Sequence, residues 1–122
     1  MDDTKLRSYL DGWTQVSHST PETVAAMIAG ADPEIRFTDV NSPNVHLGHE
    51  GLRAICALAG GKYPDARIAW RDLLCDGRNW SIRWTFTGTT PDGTGFSHPG
   101  ASAGVMADDG RVIEHTDYWS RP

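Results

Sequence analysis

The chain has 122 residues, 39% hydrophobic and 22% charged, a balance that fits one folded domain with a single core and argues against disorder. Eleven Lys and Arg against 16 Asp and Glu leave a net charge of −5, and the arginines are scattered. No basic stripe exists to track a phosphate backbone, so nucleic acid is not an expected partner. No stretch approaches membrane-spanning length, and Met1-Asp2-Asp3-Thr4 has neither the basic start nor the apolar run of a secretion signal. The expectation is one cytoplasmic domain over residues 1–122 with no membrane partner.

Leu6, Tyr9, Leu10, Trp13 and Val16 recur at helical spacing and predict an amphipathic first helix. The polar stretch Ser17-His18-Ser19-Thr20 ends it. Thr20, followed by Pro21 and Glu22, reads as the N-cap of a second helix. Val24, Met27 and Ile28 form its apolar face, and Gly30 with Asp32-Pro33 stops it. Glu34 to Val40 alternates as a strand, Asn41-Ser42-Pro43-Asn44 is a turn, and Val45-His46-Leu47 reads as a short return strand. Gly48-His49-Glu50-Gly51 opens a third helix with Leu52, Ile55, Cys56 and Ala59 buried, closed by Gly60-Gly61.

From residue 66 the period changes to two. Ile68, Trp70 and Leu74 share one parity. Trp80, Ile82, Trp84 and Phe86 alternate with Ser81, Arg83, Thr85 and Thr87. Turns at Asp76-Gly77, Pro91-Asp92-Gly93 and Asp108-Asp109-Gly110 separate these from two further strands, Phe96 to Ala107 and Arg111 to Ser120. Helices first and an antiparallel meander after predict an α+β fold with helices on one face of the sheet. Cys56 and Cys75 sit in regular elements beside apolar neighbours and read as reduced, buried thiols. No Cys/His spacing suggests a metal site, and no nucleophile elbow, phosphate loop or dinucleotide fingerprint occurs, so no cofactor is expected.

Five tryptophans (Trp13, Trp70, Trp80, Trp84 and Trp119) exceed what a small core needs; they are either core fillers or walls of an aromatic cavity. The last strand places Ile113, His115, Asp117 and Trp119 on one face and Val112, Glu114, Thr116 and Tyr118 on the other. Facing inward, His115 and Asp117 form an acid/base unit. Facing outward, they are a polar strand face with a stray Trp, and periodicity alone does not choose. Asp39, at a strand end, is either a turn former bonded to the backbone two residues on or a carboxylate base. Tyr9 lies on an apolar helix face, where its hydroxyl needs a partner. Arg83 lies on the polar parity of its strand, where a solvated Arg is the default, and His18, His46, His49 and His98 are weaker candidates.

Several strings occur in order: Tyr9-Leu10-Asp11-Gly12-Trp13, Ile35-Arg36-Phe37-Thr38-Asp39, Gly48-His49-Glu50-Gly51-Leu52-Arg53, Arg83-Trp84-Thr85-Phe86-Thr87-Gly88, and Asp109-Gly110-Arg111-Val112-Ile113-Glu114-His115 leading to Asp117-Tyr118-Trp119. Together they resemble the nuclear transport factor 2-like superfamily, and within it the SnoaL-like (polyketide cyclase) group, over almost the whole chain. The resemblance implies a cone-shaped α+β barrel, in which a curved antiparallel sheet wraps the N-terminal helices, the last strand lines an apolar pocket, and the open sheet face makes a homodimer. By this resemblance Asp39 falls where ketosteroid isomerases keep a carboxylate base, Tyr9 near their oxyanion-stabilising Tyr, and Ser102 on or beside the second oxyanion group. Asp117 and Arg83 fall on two members of the Asp-Arg-Asp set of limonene epoxide hydrolases, with Thr85 at the third. His115 with Asp117 matches the aspartate–histidine pair of SnoaL-like cyclases.

The resulting expectation is a cofactor-independent acid/base enzyme of isomerase, cyclase or dehydratase type, acting on a small apolar carbonyl compound. Its candidate catalytic residues are Asp117, His115, Asp39 and Tyr9. Its candidate substrate contacts are Trp13, Phe37, Arg83, Trp84 and Trp119. The competing reading is a ligand-binding or accessory protein of the same fold without turnover; a third is an association module acting through its outer sheet face.

Overall fold

The computed structural model describes residues 2–14, 20–62 and 64–120, with the backbone alone described at 59–62. Helix α1 (Thr4–Trp13) buries Leu6, Tyr9, Leu10 and Trp13, the expected stripe. Val16, His18 and the side chain of Ala59 lie outside the described residues. Helix α2 (Pro21–Ala29) starts at Thr20, whose hydroxyl accepts from the Thr23 N–H while the Thr23 hydroxyl accepts from the Thr20 N–H. This reciprocal cap satisfies two otherwise free donors.

Strand β1 (Ala31–Asp39) begins earlier than expected and runs through Asp32-Pro33. The proline is tolerated because the β1 ladder is interrupted between Ala31 and Arg36, so its missing N–H removes no pairing there. Strand β2 (Val45–Leu47) returns antiparallel to β1, and α3 (Gly48–Lys62) follows. Gly60 and Gly61 lie inside the last turn of α3 rather than beyond it. Strands β3 (Arg67–Asp76), β4 (Asn79–Thr89), β5 (Gly95–Met106) and β6 (Val112–Trp119) complete a six-stranded sheet in the order β2-β1-β6-β5-β4-β3. The sheet is mixed: the meander is antiparallel, but β6 lies parallel to β1, with Phe37 opposite His115 and Asp39 opposite Asp117. The helices pack mainly on β1 and β2 and, through α1, on β6, and among the described residues no helix is long and apolar enough to cross a membrane.

Two bulges alter the expected parity. At Asp72, with φ of 58°, β3 carries an extra residue between the Arg71–Arg83 and Leu74–Ser81 pairs. Leu73 therefore packs against the core and Leu74 is exposed, the reverse of a strict alternation. On β6 the extra residue is Ile113, between the pairs Val105–Glu114 and Met106–Val112, so Val112 is buried while His115 keeps its inward position. Cys56 and Cys75 are both free thiols, but only Cys56 is buried; Cys75, near the exposed end of β3, is a correction to the expectation.

The inner face of β5 is built from small residues. Gly104 pairs with Trp80 and His115, Ser102 with Ile82 and Asp117, and Gly100 with Trp84 and Trp119. The Trp rings of β4 lie over the glycines: a Cβ on Gly100 would enter the Trp84 ring, and one on Gly104 would meet both the Trp80 ring and the Glu114 carbonyl. Gly104→Ala should therefore cost about 3 kcal/mol in urea unfolding, because the obstructing atom is backbone and cannot yield. Gly95→Ala on the same strand, where nothing lies within 4 Å of the new methyl, should stay within about 0.5 kcal/mol of the parent.

Candidate active site

Four aromatic rings, from α1, β1 and β4, meet around the imidazole of His115 on β6. Tyr9 comes from the buried stripe of α1, Phe37 from β1, Trp80 from β4 across Gly104, and Trp13 from the end of α1. Their ring centroids lie 5.6, 4.6, 5.3 and 5.8 Å from that of His115, all edge-on. Trp13 also stacks on Phe37 at 5.4 Å. Such edge-to-face contacts fix a ring's orientation as well as burying it. The inward reading of the last strand therefore holds for His115, which is 3% exposed.

A continuous hydrogen-bonded chain crosses this cluster. Tyr9 Oη lies 2.6 Å from His115 Nδ1, and His115 Nε2 lies 2.6 Å from Asp117 Oδ1. The same Oδ1 accepts from Ser102 Oγ at 2.5 Å, and Ser102 Oγ accepts from Trp84 Nε1 at 2.8 Å. The direction of the protons follows from burial together with the partners each group has. Tyr9 is fully buried, which pushes its hydroxyl well above the ordinary tyrosine value; the neighbouring Trp13 N–H opposes this, while Asp117 and Cys56 add to it. The Trp13 N–H acts without reaching hydrogen-bond geometry, and it and the Trp80 N–H are the buried side-chain donors without a partner among the described residues. Nδ1 is the one hydrogen-bond partner of the protonated Tyr9 hydroxyl among the described residues, so the hydroxyl hydrogen goes there and His115 carries its own proton on Nε2, which it donates to Asp117.

Asp117 is the exposed end of the chain, with 21% of its side chain accessible. Its Oδ1 takes two hydrogen bonds, and no group among the described residues bonds Oδ2. Asp39, its neighbour across the β1–β6 pair, is tied at both oxygens, Oδ1 by the Asn41 backbone N–H at 2.8 Å and Oδ2 by Trp119 Nε1 at 3.0 Å. Asp39 thus makes the turn-forming bond expected of an Asp at a strand end and also anchors Trp119. Asn41 closes the loop by donating from Nδ2 to the Trp119 carbonyl at 2.8 Å.

The structure brings together Tyr9, His115, Asp117, Trp13, Phe37 and Trp84, with Asp39 and Trp119 at the rim. It does not bring in Arg83. On the solvent parity of β4, its side chain is 72% exposed and lies 3.8 Å from the bulged Asp72. Trp13, Trp80 and Trp84 fill the core, and Trp70 and Trp119 are half-buried. An open groove of about 760 Å³ lies between α2 and α3, lined by Val24, Ile28, Arg53 and Cys56 among others, with no Trp in its wall. The link from Trp84 through Ser102 to Asp117 was not evident from sequence patterning. Its only signal is the period-two row of small residues, Gly100-Ser102-Gly104, lying opposite a strand with Trp at the same spacing.

Tyr9→Phe keeps the ring and removes the donor to a buried acceptor, and should lower stability by about 1–3 kcal/mol near neutral pH. Because Tyr9 holds its proton in the folded state beyond the pH at which an unfolded tyrosine releases it, its contribution is complete below about pH 10 and declines above that. The gap between parent and variant should narrow as urea midpoints are followed from pH 8 to pH 11. A gap that stays constant would show that Tyr9 is not the buried, protonated donor.

The SnoaL-like domain family matches the chain over residues 6–115. No curated protein sequence matches it. Among solved structures, an NTF2-like protein of unknown function from Exiguobacterium sp. 255-15 superposes with a TM-score of 0.81 at 17% identity, covering 98% of this chain and 100% of that one. TerC, co-crystallised with polyporic acid, superposes with a TM-score of 0.79 at 16% identity, covering 95% and 88%. SalBIII, an epoxide hydrolase/cyclase-like enzyme in pyran ring formation of the polyether salinomycin, gives 0.73 at 13%, covering 95% and 90%. At these identities the structural likeness establishes the NTF2-like fold, and with the family match it shows that the chain belongs to the SnoaL-like domain family.

Proposed function

We propose that the protein is a cofactor-independent acid/base enzyme of isomerase, cyclase or dehydratase type whose general base is Asp117. The observation that carries this reading is the asymmetry of that carboxylate: Oδ1 is fixed by His115 and Ser102, while Oδ2 has no hydrogen-bond partner among the described residues and lies at the accessible edge of an aromatic inner face. In the proposed step Oδ2 takes a proton from carbon alpha to a carbonyl; the electron pair of that C–H bond forms the enolate C=C bond, and the carbonyl π pair moves onto the oxygen. The enolate then regains the proton at another carbon, attacks a second carbonyl carbon whose C=O π pair moves to its oxygen and takes the proton from Asp117, or expels a β-hydroxyl that leaves with the proton as water. The family match, and a structural neighbour described as an epoxide hydrolase/cyclase-like enzyme, are consistent with this class. Asp39 is the weaker base candidate because both its oxygens already accept hydrogen bonds.

Tyr9 and His115 act in this scheme as positioning residues. Tyr9 is enclosed and committed to His115, so it sets the imidazole tautomer rather than meeting substrate. The same closure supports the second reading, a ligand carrier in which the chain only braces the core. Asp117→Asn separates the two: it should reduce turnover of a carbonyl substrate found by screening by about 10²–10⁴-fold with little change in affinity. Asp39→Asn should reduce it far less. Unchanged turnover in Asp117→Asn would remove the base assignment, and binding of several carbonyl compounds with turnover of none would favour the carrier.

We also propose a homodimer through the outer sheet face, where Tyr118 and Leu74 are exposed beside Ala101 and Ala103. Sedimentation at micromolar concentration should give twice the 13.3 kDa chain mass; a single-chain mass would reject it.

A further inference from the structure

Two hydrogen-bonded arms meet at Oδ1 of Asp117. One arrives through Tyr9 and His115, and the other crosses the sheet from β4 through β5. In the second arm Trp84 Nε1 donates to Ser102 Oγ at 2.8 Å, and Ser102 Oγ donates to Asp117 Oδ1 at 2.5 Å. The row of small residues on β5 makes this geometry possible. Trp84 stands directly opposite Gly100, and its benzo ring occupies the space that a Cβ on residue 100 would need. The indole therefore lies across β5, and its Nε1 reaches the diagonal neighbour, Ser102, a span open to aromatic side chains. Ser102 in turn stands opposite Asp117 on β6.

The polarity of this arm is fixed by its chemistry. An indole N–H can only donate and an ionised carboxylate can only accept. The serine oxygen therefore takes the indole hydrogen, and its own hydrogen goes to Asp117. Neither Trp nor Ser titrates near neutral pH, so this polarity, unlike an imidazole tautomer, is independent of pH there. Ser102 is 2% exposed, too enclosed to meet substrate itself. One donor alone would leave the carboxylate free to turn about Cβ–Cγ and exchange its oxygens. Donors from two strands, His115 on β6 and Ser102 on β5, hold Oδ1 in place and so keep Oδ2 at the accessible edge. We infer that Ser102 and Trp84 are positioning residues for the proton transfer, Ser102 acting on Asp117 and Trp84 acting through Ser102. The catalytic role rests on Asp117 being the base; the arm itself does not.

Exchange of the α-hydrogens of cyclohexanone in D2O, followed by ¹H NMR, tests these roles. Ser102→Ala should lower kcat for exchange about tenfold, with KM within about twofold of the parent. Trp84→Phe keeps a ring over Gly100, removes only the N–H, and should lower kcat about threefold. In the double variant kcat should match that of Ser102→Ala alone, because Trp84 reaches the carboxylate through Ser102; a merely structural Trp84 would add its own loss. Additive losses, an unchanged kcat in Ser102→Ala, or a change confined to KM would each overturn the assignment. Asp117→Asn distinguishes that failure from failure of the base. If it abolishes exchange while Ser102→Ala leaves kcat unchanged, only the positioning roles fall. If exchange is absent from the parent protein or survives Asp117→Asn, the base reading falls and the catalytic roles fall with it. Indole ¹H–¹⁵N spectra read the arm without turnover and report whether each variant is folded, with the Trp84 signal identified by its loss in Trp84→Phe. That signal should move upfield in Ser102→Ala; one that stays in place would show that the arm is absent.

Discussion

The imidazole of His115 joins the helical half of the molecule to the sheet. It receives the only hydroxyl on the buried face of α1 and passes a proton-bearing nitrogen to a carboxylate on its own strand. A buried imidazole with one unmet nitrogen would cost about 1–3 kcal/mol, so both partners are needed. Four aromatic rings then hold the imidazole plane edge-on. The consequence is directional: protons point from Tyr9 to His115 to Asp117, and the two donors to the inner oxygen of Asp117, His115 and Ser102, are already in place. A group held by packing and hydrogen bonds in this way needs little reorganisation when a substrate arrives.

That chain exists because β5 gives it room. With Gly100, Ser102 and Gly104 on its inner face, β5 lets the Trp rings of β4 lean over from one side and His115 and Asp117 stand up on the other. Ser102 serves twice, accepting from Trp84 and donating to Asp117; since the Trp84 N–H can only donate, the single serine hydrogen goes to the carboxylate. One strand therefore sets both the depth of the base and the space for the rings above it.

Much of this was legible in the residues. The buried stripe of α1, the Thr20 cap and the alternation of β4 follow directly from spacing, and the ordered strings pointed to the right family. Three features were hidden for physical reasons. The bulges at Asp72 and Ile113 each add one residue, and a period-two reading cannot see an insertion that leaves both flanks alternating. The parallel pairing of β1 with β6 joins residues about 80 apart, and nothing local records it. Arg83 looked like a pocket residue only through the resemblance, whereas its own parity, opposite to Trp80, Ile82 and Trp84, already placed it in solvent. For Asp39 the two sequence readings merge: the carboxylate bonds the backbone two residues on and holds Trp119 at the rim.

The central claim is that a protonated Tyr9 fixes the tautomer of His115 and so aims its Nε2–H at Asp117. Long-range ¹H–¹⁵N NMR of the histidine side chains reads this directly. At neutral pH the account predicts one histidine with a protonated Nε2 and an unprotonated, hydrogen-bonded Nδ1, shifting to an averaged pattern in Tyr9→Phe. A His115 signal with the proton on Nδ1, or one averaged between tautomers in the parent protein, would contradict it.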